Sequence, residues 1–187
     1  MNVVDNQDAW CSGPDNRCRK LRPEEFSRDA SRCCESHFLA DWNCIAGFRY
    51  KGEQKVPVRL AGDHSGAMAL MTTVLPRESE ANRRIFAIFL ISSQGEQDGS
   101  TSFTGDAKLH IELMADEPLL FWKIFPSKGQ GEEFNWGNEA CRPVSQDILV
   151  QVLQKAIRVI KDTDRRLVAE KLLSLAESRI RPAGPRR

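Results

Sequence analysis

Of the 187 residues, those whose chemistry best suits a site are six cysteines, three histidines and four tryptophans. Five cysteines (Cys11, Cys18, Cys33, Cys34 and Cys44) fall in the first 44 residues, and Cys141 stands apart. Zinc takes four nitrogen or sulfur ligands in a tetrahedron, and a short loop between two ligands presents both to one ion. Cys34-x2-His37 has that spacing. Cys11-x6-Cys18 is wider than the roughly two to four residues usual between paired ligands, although Gly13-Pro14 supplies a turn able to close it. The set Cys11, Cys18, Cys34 and His37, with Cys33 and Cys44 as alternates, predicts a structural zinc site in the head. Buried free thiols and disulfides are the other two states open to these residues. A head of this length with few large aliphatic residues favours a metal staple. Such a closed four-ligand site holds a fold together and does no chemistry.

Other letters suggestive of catalysis do not assemble into a mechanism. His110-Ile-Glu112 has the His-x-Glu of zinc deaminases but lacks the Pro-Cys-x-x-Cys partner that completes the metal site. Asp63-His64-Ser65 contains triad residue types, yet adjacent residues in a turn do not take up the spatial nucleophile-base-orienter arrangement. The chain contains no Gly-rich phosphate loop, Walker pattern or His-Glu-x-x-His. No catalytic residue is assigned, and a non-enzymatic binding module is the expectation.

The tryptophans point to stacking. A base drawn out of a nucleic acid needs π-faces to lie on and polar groups to read its edge. Trp42-Asn43 and Asn135-Trp136 each set an amide beside an indole, the second in a loop containing Gly129, Gly131 and Gly137. Trp122 lies inside an apolar run, where core packing competes with any binding role.

The elements that must position these groups are legible from periodicity. Val56, Val58 and Leu60 alternate with Pro57 and Arg59, a half-buried strand that Pro57 confines to an edge or to its start. Gly62 to Gly66 is a turn. Ala67–Met71, leading into Thr72-Thr73, and Ile85–Ile91 are apolar runs expected as strands buried on both faces. Between them residues 76–84 form a loop or a single helical turn. Residues 94–105 hold three glycines with serines and threonines and are expected as a flexible loop. Leu109, Ile111 and Leu113 alternate with polar residues, and Leu119–Phe125 is a fifth apolar run. Ser145 and Asp162 or Thr163 are helix starts. After Ser145, Leu149, Val152, Leu153, Ala156 and Ile160 recur at helical spacing. The fold class is therefore α+β, a small, mainly antiparallel curved sheet or barrel followed by C-terminal helices.

Two resemblances sharpen this. Residues 10–38, a cysteine pair, a basic stretch from Arg17 to Arg32 with Phe26, and Cys34-x2-His37, resemble small treble-clef and ribbon-like zinc modules. From Trp42-x2-Ile45-x2-Phe48-Arg49, through the strand ending in Thr72-Thr73, to Arg142-Pro-Val-Ser-Gln-Asp147 entering a helix, the chain resembles the PUA-like superfamily, especially its EVE and YTH branches. That likeness spans about residues 40–160. It implies a small curved barrel that binds DNA or RNA and holds one flipped, often modified, base in an aromatic pocket. By family position Trp42, Thr72 and Thr73 line that pocket, with Trp136 or Trp122 as the second wall; Asn43 and Asn135 stand ready to read a base edge.

Charge divides the chain further. Residues 1–55 carry nine basic and nine acidic side chains, residues 56–143 eight and twelve, and residues 144–187 ten and five, for a formal net charge of +1. Such balance argues against holding a polyanion by bulk charge. Phosphate contacts would fall to Arg49, Arg59, Arg179 and Arg181. The expected organisation is a Cys-rich head (1–40), a PUA-like barrel (41–143), helices packed on it (144–181) and a basic tail (182–187). The helices are a possible protein-docking surface in the rival reading, a regulatory domain that binds no nucleic acid. With no apolar run near the ~18 residues of a membrane span and no signal-peptide pattern, a cytoplasmic or nuclear protein, not secreted and not membrane-bound, is expected.

Overall fold

Turn chemistry and two helix caps set the order of the elements. The computed structural model describes residues 34–51, 53–74, 78–125 and 141–179, with the side chains of these residues other than 34–37, 50 and 55. Helix α1 (Cys34–Asp41) leads into β1 (Asn43–Ile45), β2 (Phe48–Lys51), β3 (Gln54–Pro57) and β4 (Met68–Thr73). The long strands β5 (Arg84–Gln97) and β6 (Ser100–Glu112) follow, then the short β7 (Leu119–Leu120), α2 (Gln146–Val159) and α3 (Thr163–Ser178). Single 3-10 turns occupy Glu80–Asn82 and Phe121–Lys123. No helix among the described residues is long and apolar enough to cross a membrane.

Residues 94–105 depart from the loop expectation, because they form the hairpin between β5 and β6. Asp98 (φ 51°) and Gly99 (φ 75°) make a two-residue turn with both residues left-handed, the geometry that an Asp-Gly pair favours between right-twisted strands. Ser100, Thr101 and Ser102 of β6 pair across the ladder with Gln97, Glu96 and Gly95 of β5. The earlier turn matches expectation, with Gly62 and Gly66 both left-handed.

The main sheet is antiparallel in the order β1-β6-β5-β4, and β7 pairs with the start of β5. The closed barrel expected from the PUA-like pattern is not what forms. Among the described residues the sheet is open, with β1 and β4 at its edges. Closure requires the two edge strands to meet with a consistent stagger. Here β1 is three residues long, and other elements cover both faces instead. On one face lie α2 and α3, burying Leu149, Val152, Leu153, Ala156, Ala169 and Leu172 against Ile85, Ile88, Ile111 and Leu113. On the other, Phe38 of α1 packs with Phe86, Phe89, Ile91 and Phe103. Phe38 and Leu39, placed by sequence in the head, thus contribute to this second core. Of the two runs expected to be buried on two faces, Ile85–Ile91 is buried apart from the half-buried Leu90, whereas Ala67–Met71, at the edge strand β4, is only half-buried throughout. Met68 and Leu70 of β4 face the helices, whereas Ala67, Ala69 and Met71 face the aromatic core.

A bulge makes β5 consistent with that arrangement. Met71 pairs with Ala87 and Thr72 with Ile85, so Phe86 is the extra residue. In a regular strand Ile85 and Ile88 would point to opposite faces; one inserted residue returns both to the helix side. The separate β2–β3 hairpin is tied to the sheet at Ser100 and Thr101. The buried Ser100 hydroxyl lies 3.0 Å from the carbonyls of both Gly47 and Val58, and Thr101 N donates to Val58 O at 3.0 Å.

The helices begin at the expected caps. Ser145 Oγ accepts from Ile148 N at 3.4 Å, and Asp162 Oδ1 accepts from Arg165 N at 2.7 Å. Gln146 Nε2 donates to Ala176 O at 2.5 Å, linking the start of α2 to the end of α3. Beneath them sits a buried ion pair. Glu117, 1% exposed, receives Arg165 at 2.6 and 2.9 Å, Lys161 N at 2.7 Å and Met114 N at 3.0 Å.

Candidate functional site

The most unusual backbone in the structure belongs to a residue singled out by its chemistry. Trp42 has φ 56°, the left-handed region that a bulky side chain rarely enters. The cause is local. Helix α1 ends here with Trp42 N donating to Phe38 O at 2.6 Å, the single-bond terminating motif in which the left-handed residue is usually glycine. A non-glycine residue there costs about 1–2 kcal/mol, which the surrounding contacts must offset. Gly105 N donates to Trp42 O at 2.8 Å. The Trp42 ring stacks on His110 with centroids 4.0 Å apart and planes 27° apart, and Phe38 and Phe89 meet it edge-on at 5.1 and 6.1 Å.

Strand β6 is shaped to allow this. Phe89 pairs with His110 and Ile91 with Gly105, so Asp106–Leu109 bulge out of the ladder. Asp106 Oδ1 accepts from Lys108 N at 2.8 Å and Leu109 N at 3.0 Å, while His110 Nδ1 lies 2.7 Å from Asp106 O. At Gly105 a Cβ would come 3.0 Å from Trp42 Cβ and 3.2 Å from the Phe89 ring, so the indole needs glycine there. The result is a half-buried Trp–His stack with the exposed Asn43 on the following residue. Its ingredients are those for stacking a further flat ring and contacting that ring's edge.

The other expected pocket residues are placed elsewhere. Thr72 and Trp122 are joined in a different network. Arg83 Nη1 donates to Thr72 Oγ1 at 3.0 Å, Arg83 binds the Glu80 carboxylate at 2.5 and 2.9 Å, and Trp122 Nε1 donates to Glu80 Oε1 at 3.3 Å. Trp122 packs with the helix-side core and Trp42 with the opposite core, so the two do not share one pocket. Thr73 ends β4 opposite Arg84. Asn135 and Trp136 lie outside the described residues. Among the arginines, Arg49 is exposed. Arg59 bonds Gly99 O at 2.9 Å and Glu96 at 3.4 Å. Arg179 donates to Gly66 O, tying the end of α3 to the first turn. Arg181 lies outside the described residues.

Of the expected zinc ligands, Cys11, Cys18 and Cys33 lie outside the described residues, and Cys34 and His37 belong to α1. Among the described residues no three His, Cys, Asp or Glu groups converge on a common point. Cys44 packs against the aromatic core. Burial first, then the neighbouring Cys141 and Asp41, push its thiol up to about 12. The catalytic-looking letters have structural uses. Asp63 Oδ1 accepts from Ser65 N at 2.8 Å within the turn, and His64 meets Phe103 edge-on.

A cavity of about 480 Å³ opens between β7 and α2 and was not anticipated. Its lining combines the apolar Pro118, Leu119, Leu120, Ile124 and Val159 with Arg84, Lys123, Lys155 and Arg158, together with Glu78 and Asn82. Arg84 Nη2 donates to Glu78 Oε1 at 2.6 Å, while Arg84 Nε and Glu78 Oε2 have no hydrogen-bond partner. The one signal available in the sequence was the pair Lys155 and Arg158, basic residues beside the apolar stripe of α2.

No family model, curated protein or solved structure matches the chain.

Proposed function

We propose that the chain is a non-enzymatic nucleic-acid-binding module that stacks a single flipped base, modified or unmodified, on Trp42 and His110. The reading takes its ligand class from the PUA-like resemblance and its site from the structure. The observation that carries it is Trp42 itself, a bulky aromatic kept in a strained left-handed backbone at a position that glycine would occupy without cost. Strain of this kind concentrates at binding and switch sites. The adjacent imidazole extends the π surface, and the exposed Asn43 amide can donate to or accept from a base edge. Arg49 is an exposed cation on β2 available for a neighbouring phosphate. A zinc-stapled head built on Cys11, Cys18, Cys34 and His37 belongs to the same proposal, and metal analysis of the purified chain tests it: about one zinc per chain is expected, and none removes that part.

The test of function is a binding titration with single-stranded DNA and RNA oligonucleotides, modified and unmodified, at fixed salt. Saturable binding that Trp42→Ala weakens by about fivefold to a hundredfold is expected, because base–aromatic stacking contributes about 1–3 kcal/mol per base. Trp42→Phe keeps a π-face and should retain most of it. No saturable binding, or binding unchanged by Trp42→Ala, overturns the reading. The rival, protein docking on the helices, has in its favour one exposed large apolar residue among the described residues, Leu167 at 50% exposure, and single exposed leucines are ordinary.

A further inference from the structure

From the cavity between β7 and α2 we infer a second binding site, independent of Trp42, for a small amphipathic anion: a carboxylate or phosphate head on an apolar body. Four cations face a space that a single carboxylate, Glu78, partly balances. Lys123, Lys155 and Arg158 have no ion-pair or hydrogen-bond partner among the described residues. Lys155 and Arg158 are three residues apart on α2, so they share one helix face, where like charges disfavour each other.

The helix dipole favours cations in the last turn of α2, but it does not account for the rest. Arg84 comes from β5 and Lys123 from the 3-10 turn after β7, and the fold brings both to the same cavity as the α2 pair. Beneath these charges the surface is aliphatic, and Leu119 and Ile124 are buried in the core. Leu120, Ile124 and Val159 give an apolar body a surface to cover, and the ammonium and guanidinium groups give its head charge-assisted donors. The volume lies within the roughly 300–1,000 Å³ usual for small-molecule sites. The aliphatic floor offers no ring for a base to stack on, which separates this site from the one at Trp42.

Titration calorimetry of the full chain with octanoate, octyl phosphate, octanol, octylammonium and inorganic phosphate tests the assignment. One equivalent of octanoate or octyl phosphate should bind at least tenfold more tightly than octanol or inorganic phosphate alone, and octylammonium should not bind. Tighter octyl phosphate assigns a phosphate head, and tighter octanoate a carboxylate. Lys155→Ala with Arg158→Ala, both outside the sheet core, should weaken the anion at least tenfold, with the thermal unfolding midpoint of the double variant checking that it folds. If that variant does not fold, Lys123→Ala, on an exposed residue, gives the same comparison. Equal binding of octylammonium, no binding of either amphipathic anion, or affinity unchanged in a folded variant overturns it.

Discussion

At the residue scale, the structure separates side chains that hold the fold from those available for binding. Glu117 shows the first kind. Burial would by itself raise its carboxyl, but hydrogen bonds from Arg165, Lys161 N and Met114 N outweigh that and hold it at about 2, against an ordinary 4.5. A depressed folded-state value contributes stability that is fully present above pH 4.5 and is lost as pH falls towards 2. The shift corresponds to about 3 kcal/mol. Chemical denaturation of wild type and Glu117→Gln across pH 2–7 should show the variant less stable by about that amount near neutrality, the two converging at the acid end. A constant gap down to pH 2 would contradict the assignment. Sequence reasoning missed this pair because Glu117 and Arg165 are 48 residues apart and neither belongs to a motif. It did single out Trp42, through its type and its neighbour Asn43. The stacking partner His110 was legible only as a polar residue on a strand, since its placement depends on the Asp106–Leu109 bulge.

At the element scale, periodicity and caps carried furthest. The α2 stripe and both N-caps lie where Ser145 and Asp162 put them. Two-faced burial of β5 was readable because apolar residues in a row leave no polar face; the same pattern in β4 did not show that its edge position leaves it half-buried. The hairpin at Asp98-Gly99 was obscured by composition, since glycine, serine and threonine in number suggest a loop. The Asp-Gly pair was nonetheless its local signal. Gly99 carries φ 75°, and a Cβ there would lie 3.2 Å from Pro57 Cγ. Gly99→Ala should therefore destabilise the protein by about 1–2 kcal/mol, seen as a Tm lowered by several degrees. An unchanged Tm would mean that the turn relaxes at no cost. The bulge at Phe86 could not be read in advance, because it depends on β4 pairing with β5.

At the scale of the whole molecule, the PUA-like pattern anticipated antiparallel strands followed by helices but not how the sheet ends. Covering both faces with α1 on one side and α2 and α3 on the other replaces barrel closure as the way to bury two apolar surfaces. It also puts Trp42 and Trp122 in opposite cores, so the single aromatic pocket that the PUA-like resemblance implies is not assembled from these two residues. The formal net charge is +1, and of the four arginines expected to contact phosphate, Arg59 and Arg179 are already bonded to the protein. Oligonucleotide affinity should therefore fall only about tenfold or less between 50 and 200 mM salt, the slope expected for roughly two phosphate contacts on a single strand. A fall of a thousandfold would indicate binding through bulk charge.

The most direct test of the central claim is the indole N–H resonance of Trp42, assigned by its loss in Trp42→Phe, followed while a single-stranded oligonucleotide is added. The account predicts a saturable shift of that resonance, with the same midpoint as the overall binding isotherm. Saturable binding that leaves the Trp42 signal in place would contradict it.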